Sequence, residues 1–215
     1  MASPSKTLSM MAVLCGRVRL DSSVDIVADE EVYNPSDDSF LLLRAIEVTP
    51  GETFLEMGTG SGIIAIHAAK AGAKVTAADI NPMAVECAKR NAERNGLALE
   101  VVSSDLFENV HGAFDVIAFN PPYLPGAASS TSWIEKAWAG GGEGSETAVR
   151  FLEHAWRHLA PGGRVYMVLS SVGGLMSVLK AARERYVAEM IEEKHMFFES
   201  MYSYRLKVGG SHPEK

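Results

Sequence analysis

The chain has 215 residues, 47% of them hydrophobic, and carries 20 basic against 27 acidic side chains for a net charge of −7. That length and apolar content let a single domain bury its core without disulfides. The two cysteines, Cys15 and Cys87, form no CxxC pair, which excludes a disulfide framework or a zinc site and points to a reducing cytoplasm. No run approaches the ~18 apolar residues of a membrane helix, and the acidic balance counts against a phosphate-backbone ligand, which needs a concentrated basic surface.

Residues 1–16 read as a flexible leader. Lys6 followed by Leu8 to Gly16 has the outline of a signal peptide, but the apolar run is short and no small-residue cleavage site follows; Met10 and Met11 fit a dispensable leader equally well. Strands are predicted over Arg17–Leu20 and Val24–Val27, then an amphipathic helix from near Ser36, with Phe40, Leu43 and Ala45 or Ile46 at helical spacing and Ser36 or Asp37 as its cap. From residue 53 strands and helices alternate. Strands are expected at 53–57, 74–79, 99–103, 114–119 and 164–170, and helices at 63–71, 82–95, 146–159 and 174–185. Such alternation argues for an α/β domain with a parallel sheet and helices on both faces. Val187–Glu192 and Phe197–Val208 read as two further strands, and 209–215 as a disordered tail. The whole makes one domain over 17–208, with an N-terminal strand and helix portion at 17–50 and the α/β core at 51–208.

The strand 53–57 runs into Gly58-Thr59-Gly60-Ser61-Gly62 and then a helix. Glycines allow a sharp turn and close approach of a ligand to the main chain, and the helix N-terminus offers unpaired N–H groups. Asp79 closes the next strand about 20 residues after Gly58, where an acidic residue accepts both hydroxyls of a ribose. The third glycine comes one residue too early for the dinucleotide fingerprint GxGxxG. Glu56 also puts negative charge where a pyrophosphate would sit, which suits a cation such as the methionyl ammonium and points to S-adenosylmethionine. Two plainer readings stand beside these: Glu56 as a strand-end carboxylate bonded to the loop, and Asp79 as the N-cap of the following helix.

Phe114 to Phe119 reads as a buried strand that delivers Asn120-Pro121-Pro122-Tyr123 at its carboxyl end, where open α/β sheets bind ligands. The two prolines stiffen the backbone. The Asn120 side-chain oxygen and the Pro121 carbonyl would accept both hydrogens of a planar NH2 group, with Tyr123 packing the substrate. No general base is assigned, since proton loss can follow transfer. The alternative is a loop that merely ends the strand.

Taken together, VYNPSDDSFLLL from Val32, LEMGTGSGIIAI from Leu55, SSDLF from Ser103, FNPPY from Phe119 and the glycine-rich Ala137–Gly144 resemble the class I S-adenosylmethionine-dependent methyltransferases. More narrowly they resemble the HemK-type glutamine methyltransferases, in the eukaryotic and archaeal branch that modifies translation termination factors. The resemblance implies a Rossmann-like, seven-stranded, mostly parallel sheet with a C-terminal antiparallel hairpin. It places Glu56, Gly58, Gly60 and Gly62 around the methionyl part, Asp79 at the ribose, Asp105 and the Leu106 N–H at the adenine, and Ser39 as a closing residue; Asn120 borders donor and acceptor. Ser39 stands where the family commonly has Thr, and Asp37-Asp38 where it has Glu-Asp, with hydroxyl and charge preserved. The alternative for Asp105 is a cap of the turn at Leu106-Phe107.

The implied substrate is the glutamine of a Gly-Gly-Gln loop in a class-1 release factor, and the implied partner a small zinc-binding activator subunit that covers an apolar sheet edge. An NPPY enzyme acting on the exocyclic amine of adenine in DNA or RNA, and a noncatalytic scaffold of the same fold, are the alternatives. Outside these motifs, His154 and His158 lie four apart without the Glu of HExxH and read as solvent-facing, opposite an apolar stripe of Phe151, Leu152, Ala155, Trp156 and Leu159. Lys180, Arg183 and Arg185 read as a solvated helix face. Gly140–Gly142 and Gly144 form either a mobile cleft edge or a plain loop, with Trp133 and Trp138 as candidate lining residues.

Overall fold

The computed structural model describes residues 16–126 and 132–209. The Cys15 and Met10–Met11 readings, and all of the leader and tail except Gly16 and Gly209, fall outside them. In chain order the elements are β1 Gly16–Arg17, α1 Asp37–Ala45, β2 Glu47–Val48, β3 Thr53–Met57, α2 Ile63–Lys70, β4 Lys74–Asp79, α3 Pro82–Arg94, β5 Glu100–Ser103 and β6 Phe114–Phe119. They continue with α4 Trp133–Lys136, α5 Glu146–Ala155, β7 Leu159–Ser170, α6 Leu175–Arg183, β8 Tyr186–His195 and β9 Ser200–Val208.

Seven strands form one sheet in the order β5-β4-β3-β6-β7-β9-β8. The first five run parallel, and β9 pairs antiparallel with both β7 and β8. The expected α/β class and C-terminal hairpin are therefore present. Alternate strand residues feed two cores. Phe54, Val116, Ala118, Tyr166 and Val168 meet Leu41, Leu42, Ile64 and Ala68 of α1 and α2. Leu55, Met57, Ile117, Phe119, Val165 and Met167 meet Phe151 and Leu152 of α5 and Val178 of α6. Both faces of the central strands are thus buried, which explains their unbroken apolar runs.

Several expectations are corrected. Only Arg17 of the predicted 17–20 strand pairs, with Glu47, and Gly16, assigned to the leader, pairs with Val48. Val24–Val27 is not a strand. Its backbone groups bond to amide side chains of α3 and its cap: Asp25 N–H donates to Asn95 Oδ1 at 3.0 Å, Val27 N–H donates to Asn91 Oδ1 at 3.1 Å, and Val27 O accepts from Asn91 Nδ2 at 3.0 Å. The fifth helix stops at Ala155 and passes through a 3-10 turn into β7, which begins at Leu159 rather than 164. Phe114 pairs with Leu159 and Val116 with Arg164, so Pro161-Gly162-Gly163 is a bulge inside the strand. His154 is exposed as expected, but His158 is half-buried and stacks on Phe107 with centroids 4.5 Å apart. Burial holds its pKa below the usual histidine range.

Asn91 is the pin that ties the N-terminal segment to the glycine loop, because its Nδ2 also donates to Ser61 O at 2.9 Å. Replacing it by Ala strands the Val27 N–H and Ser61 O, each costing roughly 1 kcal/mol or more when left without a partner, while Val27 O keeps the Cys87 thiol as a donor at 3.2 Å. Asn91→Ala is expected to lower the unfolding free energy by about 2–4 kcal/mol, read as an earlier denaturant midpoint with an unchanged slope.

Candidate active site

Strand order reverses between β3 and β6, and there the carboxyl ends of β3, β4 and β6 open onto a cavity of about 440 Å3. Within the sheet Met57 lies opposite Phe119, so the glycine loop after β3 and Asn120 after β6 emerge side by side. Ser39, Glu56, Gly58, Gly60, Asp79, Asp105, Leu106, Asn120, Pro121, Pro122 and Tyr123 all line this one space. Gly62 does not line it. It caps α2 with φ +83°, and a Cβ there would lie 3.2 Å from the Ala88 Cβ, so its part is to let the loop pack on α3.

Glu56 is 3% exposed, and its Oε2 accepts from the Thr59 hydroxyl at 2.6 Å and from the Ala65 N–H at 2.8 Å. The plainer reading of Glu56 as a loop splint is therefore part of its role, while the residue also faces the cavity. Burial pushes its pKa up to about 8. Asp79 accepts from the Gly60 N–H at 2.8 Å and the Asn81 N–H at 2.9 Å, and burial raises its pKa as well. It does not cap the following helix. That place belongs to Asn81, whose side chain accepts from the Met83 N–H. Two buried carboxylates with no side-chain cation among their bonds define a pole that favours a cationic or hydroxyl-donating ligand.

Asp105 is likewise free of capping work. Ser104 pins the turn instead, its hydroxyl donating to Leu106 O at 2.7 Å and accepting from the Asn109 N–H at 2.9 Å. This holds Leu106 at φ +48°, the one left-handed non-glycine residue among those described. Asp105 pairs with Arg150 across the cavity rim at 3.3 Å.

Asn120 Oδ1 is buried and has no donor among the described residues. An amide oxygen in that state costs about 1–3 kcal/mol unless an incoming group donates to it. The backbone after it is clamped. Leu124 N–H donates to Trp138 O at 2.9 Å, Gly140 N–H to Leu124 O at 3.0 Å, and Gly126 N–H to Gly141 O at 2.7 Å. The glycine-rich segment is thus a bonded brace. A Cβ at Gly140 would sit 2.6 Å from Pro122 O, so only glycine lets the brace approach this closely.

Tyr33, Asp38 and Thr59, which stand in the quoted motifs without an assigned role, also line the site, as does Arg150, which the sequence reading missed. Tyr33 donates its hydroxyl to both Asp38 oxygens, at 3.0 and 2.9 Å, and its ring meets Trp138 edge to face. Burial and the Asp38 carboxylate push the Tyr33 phenol well above its usual range. A readable signal existed: Asp38 shares the helix face of Leu41, Leu42 and Ala45, and a buried acid on an apolar stripe is rarely there for packing. Trp133 and Trp138 line the cavity as expected.

The raised Glu56 pKa has a stability consequence. Between the ordinary value of 4.5 and about 8 the folded protein keeps a proton that the unfolded chain has lost. The stabilisation is full below 4.5 and is lost as pH rises through about 8. Glu56→Gln should flatten that part of the decline in unfolding free energy across the window, measured by denaturant titration at several pH values, and an unchanged profile would contradict the assignment.

Residues 26–198 match the methyltransferase small domain family. The chain is 45% identical over 147 residues to a putative protein N5-glutamine methyltransferase of Methanocaldococcus jannaschii, covering 67% of this chain and 75% of that protein. It is 34% identical over 172 residues to the mouse methyltransferase HEMK2, covering 74% of this chain and 80% of that one. Among solved structures it superposes on the E. cuniculi Mtq2-Trm112 complex, described as responsible for methylation of the translation termination factor eRF1. That match has a TM-score of 0.67 at 22% identity and covers 83% of this chain and 99% of the other, a likeness of fold. With the switch-point cavity, the glycine loop and the NPPY turn in place, the chain belongs to the methyltransferase small domain family.

Proposed function

We propose that this chain methylates the side-chain amide nitrogen of a glutamine in a protein substrate, a class-1 translation termination factor, with S-adenosylmethionine as donor. The observation that carries the reading is the buried, orphaned Oδ1 of Asn120, a residue that lines the cavity. It lacks a donor, and a primary amide or amine supplies one.

The donor supplies an electrophilic methyl group on a sulfonium. The residues fit it: buried Glu56 would hold the ammonium, Asp79 the ribose hydroxyls, and Asp105 with the Leu106 N–H the adenine edge. Gly58 keeps the floor open, since a Cβ there would lie 3.1 Å from the Phe119 ring. Gly60 brings main-chain N–H groups to the ligand, Gly62 sets the loop on α3, and Ser39, held by Asp38, closes the near side. An amide nitrogen is a weak nucleophile. Asn120 Oδ1 and the Pro121 carbonyl accept its two hydrogens, raise the electron density on nitrogen and aim it, while Pro122 and Tyr123 wall the substrate. The prolines and the glycine brace hold these acceptors still before substrate arrives, so little is lost in ordering them at the moment of reaction.

The partner reading extends to a small activator subunit; the E. cuniculi structure is likewise that of a complex, Mtq2-Trm112. Such a subunit has an apolar sheet edge to cover here, since β5 is an outer strand that carries Val101 and Val102 only half-buried. A nucleic-acid substrate is disfavoured by the net charge of −7. A scaffold role is disfavoured because Asn120, Asp79 and Glu56 are all present and face one cavity.

Mass spectrometry of a termination factor incubated with the chain and S-adenosylmethionine should show one added methyl on the glutamine of its Gly-Gly-Gln loop; methylated adenine from DNA or RNA instead would reverse the substrate assignment. Asn120→Ala should lower kcat by about 100-fold or more while the Kd for S-adenosylmethionine changes by less than about threefold. A variant with full turnover removes Asn120 from the mechanism.

A further inference from the structure

The tip of the β8–β9 hairpin departs from ordinary turn chemistry. Met196 N–H and Glu199 O are bonded at 2.8 Å, which closes a four-residue turn whose central positions are Phe197 and Phe198. Those places normally go to Gly, Asn, Asp or Pro. The two rings are 91% and 88% exposed and touch each other edge to face with centroids 4.7 Å apart. Neither gains shelter from the core. Adjacent aromatic rings left in water at the tip of a hairpin whose strand β8 exposes Val187 and Met190 beside Glu189 and Glu193 have the character of interface anchors.

The tip is fastened to the active-site end of the sheet. The Glu199 carboxylate accepts from the hydroxyl of Ser170, the last residue of β7. Ser171 N–H donates to Ser200 O at 2.9 Å, and Ser200 N–H donates to Ser171 Oγ at 3.0 Å. From Ser171 the chain passes through Val172 to Gly173, which lies so close to Tyr123 that a Cβ would come within 2.7 Å of the tyrosine Cβ. One turn and one loop therefore separate the two rings from the NPPY tyrosine. Val172, 41% exposed, and Met176, 69% exposed, add further exposed apolar side chains on that loop and the first turn of α6. None of these four residues lines the cavity, so the cofactor does not account for them.

We infer that Phe197 and Phe198 are the docking point for the body of the protein substrate, seated in an apolar depression beside its glutamine loop while the glutamine itself reaches Asn120. This rests on the reading of the chain as a protein-glutamine methyltransferase. The cavity admits a side chain and its loop, so the rest of a folded substrate must lie on the rim, and this apolar surface adjoins the rim at Tyr123. A glutamine is chemically commonplace. Selecting one protein among many requires contacts away from the reacting amide.

The test pairs the double variant Phe197→Ser with Phe198→Ser against the conservative double variant with Leu at both places. Intact termination factor is the substrate, with calorimetry of S-adenosylmethionine binding alongside. The serine pair should raise KM for the intact factor by about 10-fold or more, leave kcat within about twofold and leave the cofactor Kd unchanged, while the leucine pair keeps most of kcat/KM. An unchanged KM overturns the inference, as does a loss confined to kcat or to cofactor affinity. Sedimentation showing that the rings instead hold a second copy of this chain or a companion subunit also overturns it. A wild-type chain that leaves the factor's glutamine unmodified overturns the parent reading and this one together, so the two failures are distinguishable.

Discussion

Met57 lies opposite Phe119 in the parallel pairing of β3 with β6, and the placement of the glycine loop beside Asn120 follows from that register. A slip of one residue would turn Phe54 and Glu56 toward α5 and send Leu55 and Met57 to the other core, exchanging the faces of a strand buried on both sides. The register is held at the far end too. Thr53 N–H and its hydroxyl both bond Asp115 Oδ2 at 2.8 Å, and the Asp115 N–H donates back to Thr53 Oγ1 at 3.0 Å. Arg164 of β7 then grips Glu52, just ahead of β3, through two bonds of 2.9 Å. A polar lock below the core therefore sets where the glycine loop and Asn120 stand above it.

The upper end stores polarity that the protein alone does not fully use. Glu56, bonded to the Thr59 hydroxyl and the Ala65 N–H, and Asp79, bonded to the Gly60 N–H of the glycine loop, are buried, and each is disfavoured as an anion by its surroundings. Asn120 contributes an amide oxygen without a donor among the described residues. These costs are tolerable because the apolar cores on both faces are extensive, and they make the cavity complementary to a ligand bearing an ammonium, vicinal hydroxyls and an NH2 group. Binding then relieves an existing penalty instead of creating new order, which is the physical content of preorganisation.

What the sequence disclosed follows from how locally each feature is determined. The glycine loop, Asp79 and the NPPY turn were legible because strand, turn and helix signals there are contiguous and the chemistry sits at strand ends. Val24–Val27 misled because alternating apolar and polar residues describe any extended chain, and nothing local says that Asn91 and Asn95, some 70 positions away, will take its hydrogen bonds. Pro161-Gly162-Gly163 reads as a stop, yet the bulge opposite Asp115 absorbs it within β7. The four-residue α4 is too short to show a period, although it carries Trp133 into the site. Phe197 and Phe198 were read as strand residues because their composition is that of a strand, while their places at a turn depend on the pairing of His195 with Ser200.

The cavity's roof is held differently from its floor. The floor is sheet, with ladder bonds and buried apolar faces. The roof is the N-terminal segment laced to α4: the Glu31 carboxylate accepts from the Trp133 N–H at 2.7 Å and the Ser132 hydroxyl at 3.1 Å, and Glu31 O accepts from Asn81 Nδ2 at 2.8 Å. The Trp133 N–H keeps that carboxylate below its ordinary pKa. Tyr33 meets Trp138 at a centroid distance of 5.8 Å with Trp138 still 48% exposed. These part-buried hydrogen bonds and one edge-on ring contact hold the roof without the continuous ladder of the sheet. The Asn91 amide, which bonds both Ser61 O of the glycine loop and Val27, ties this roof to the floor, so the two are coupled there.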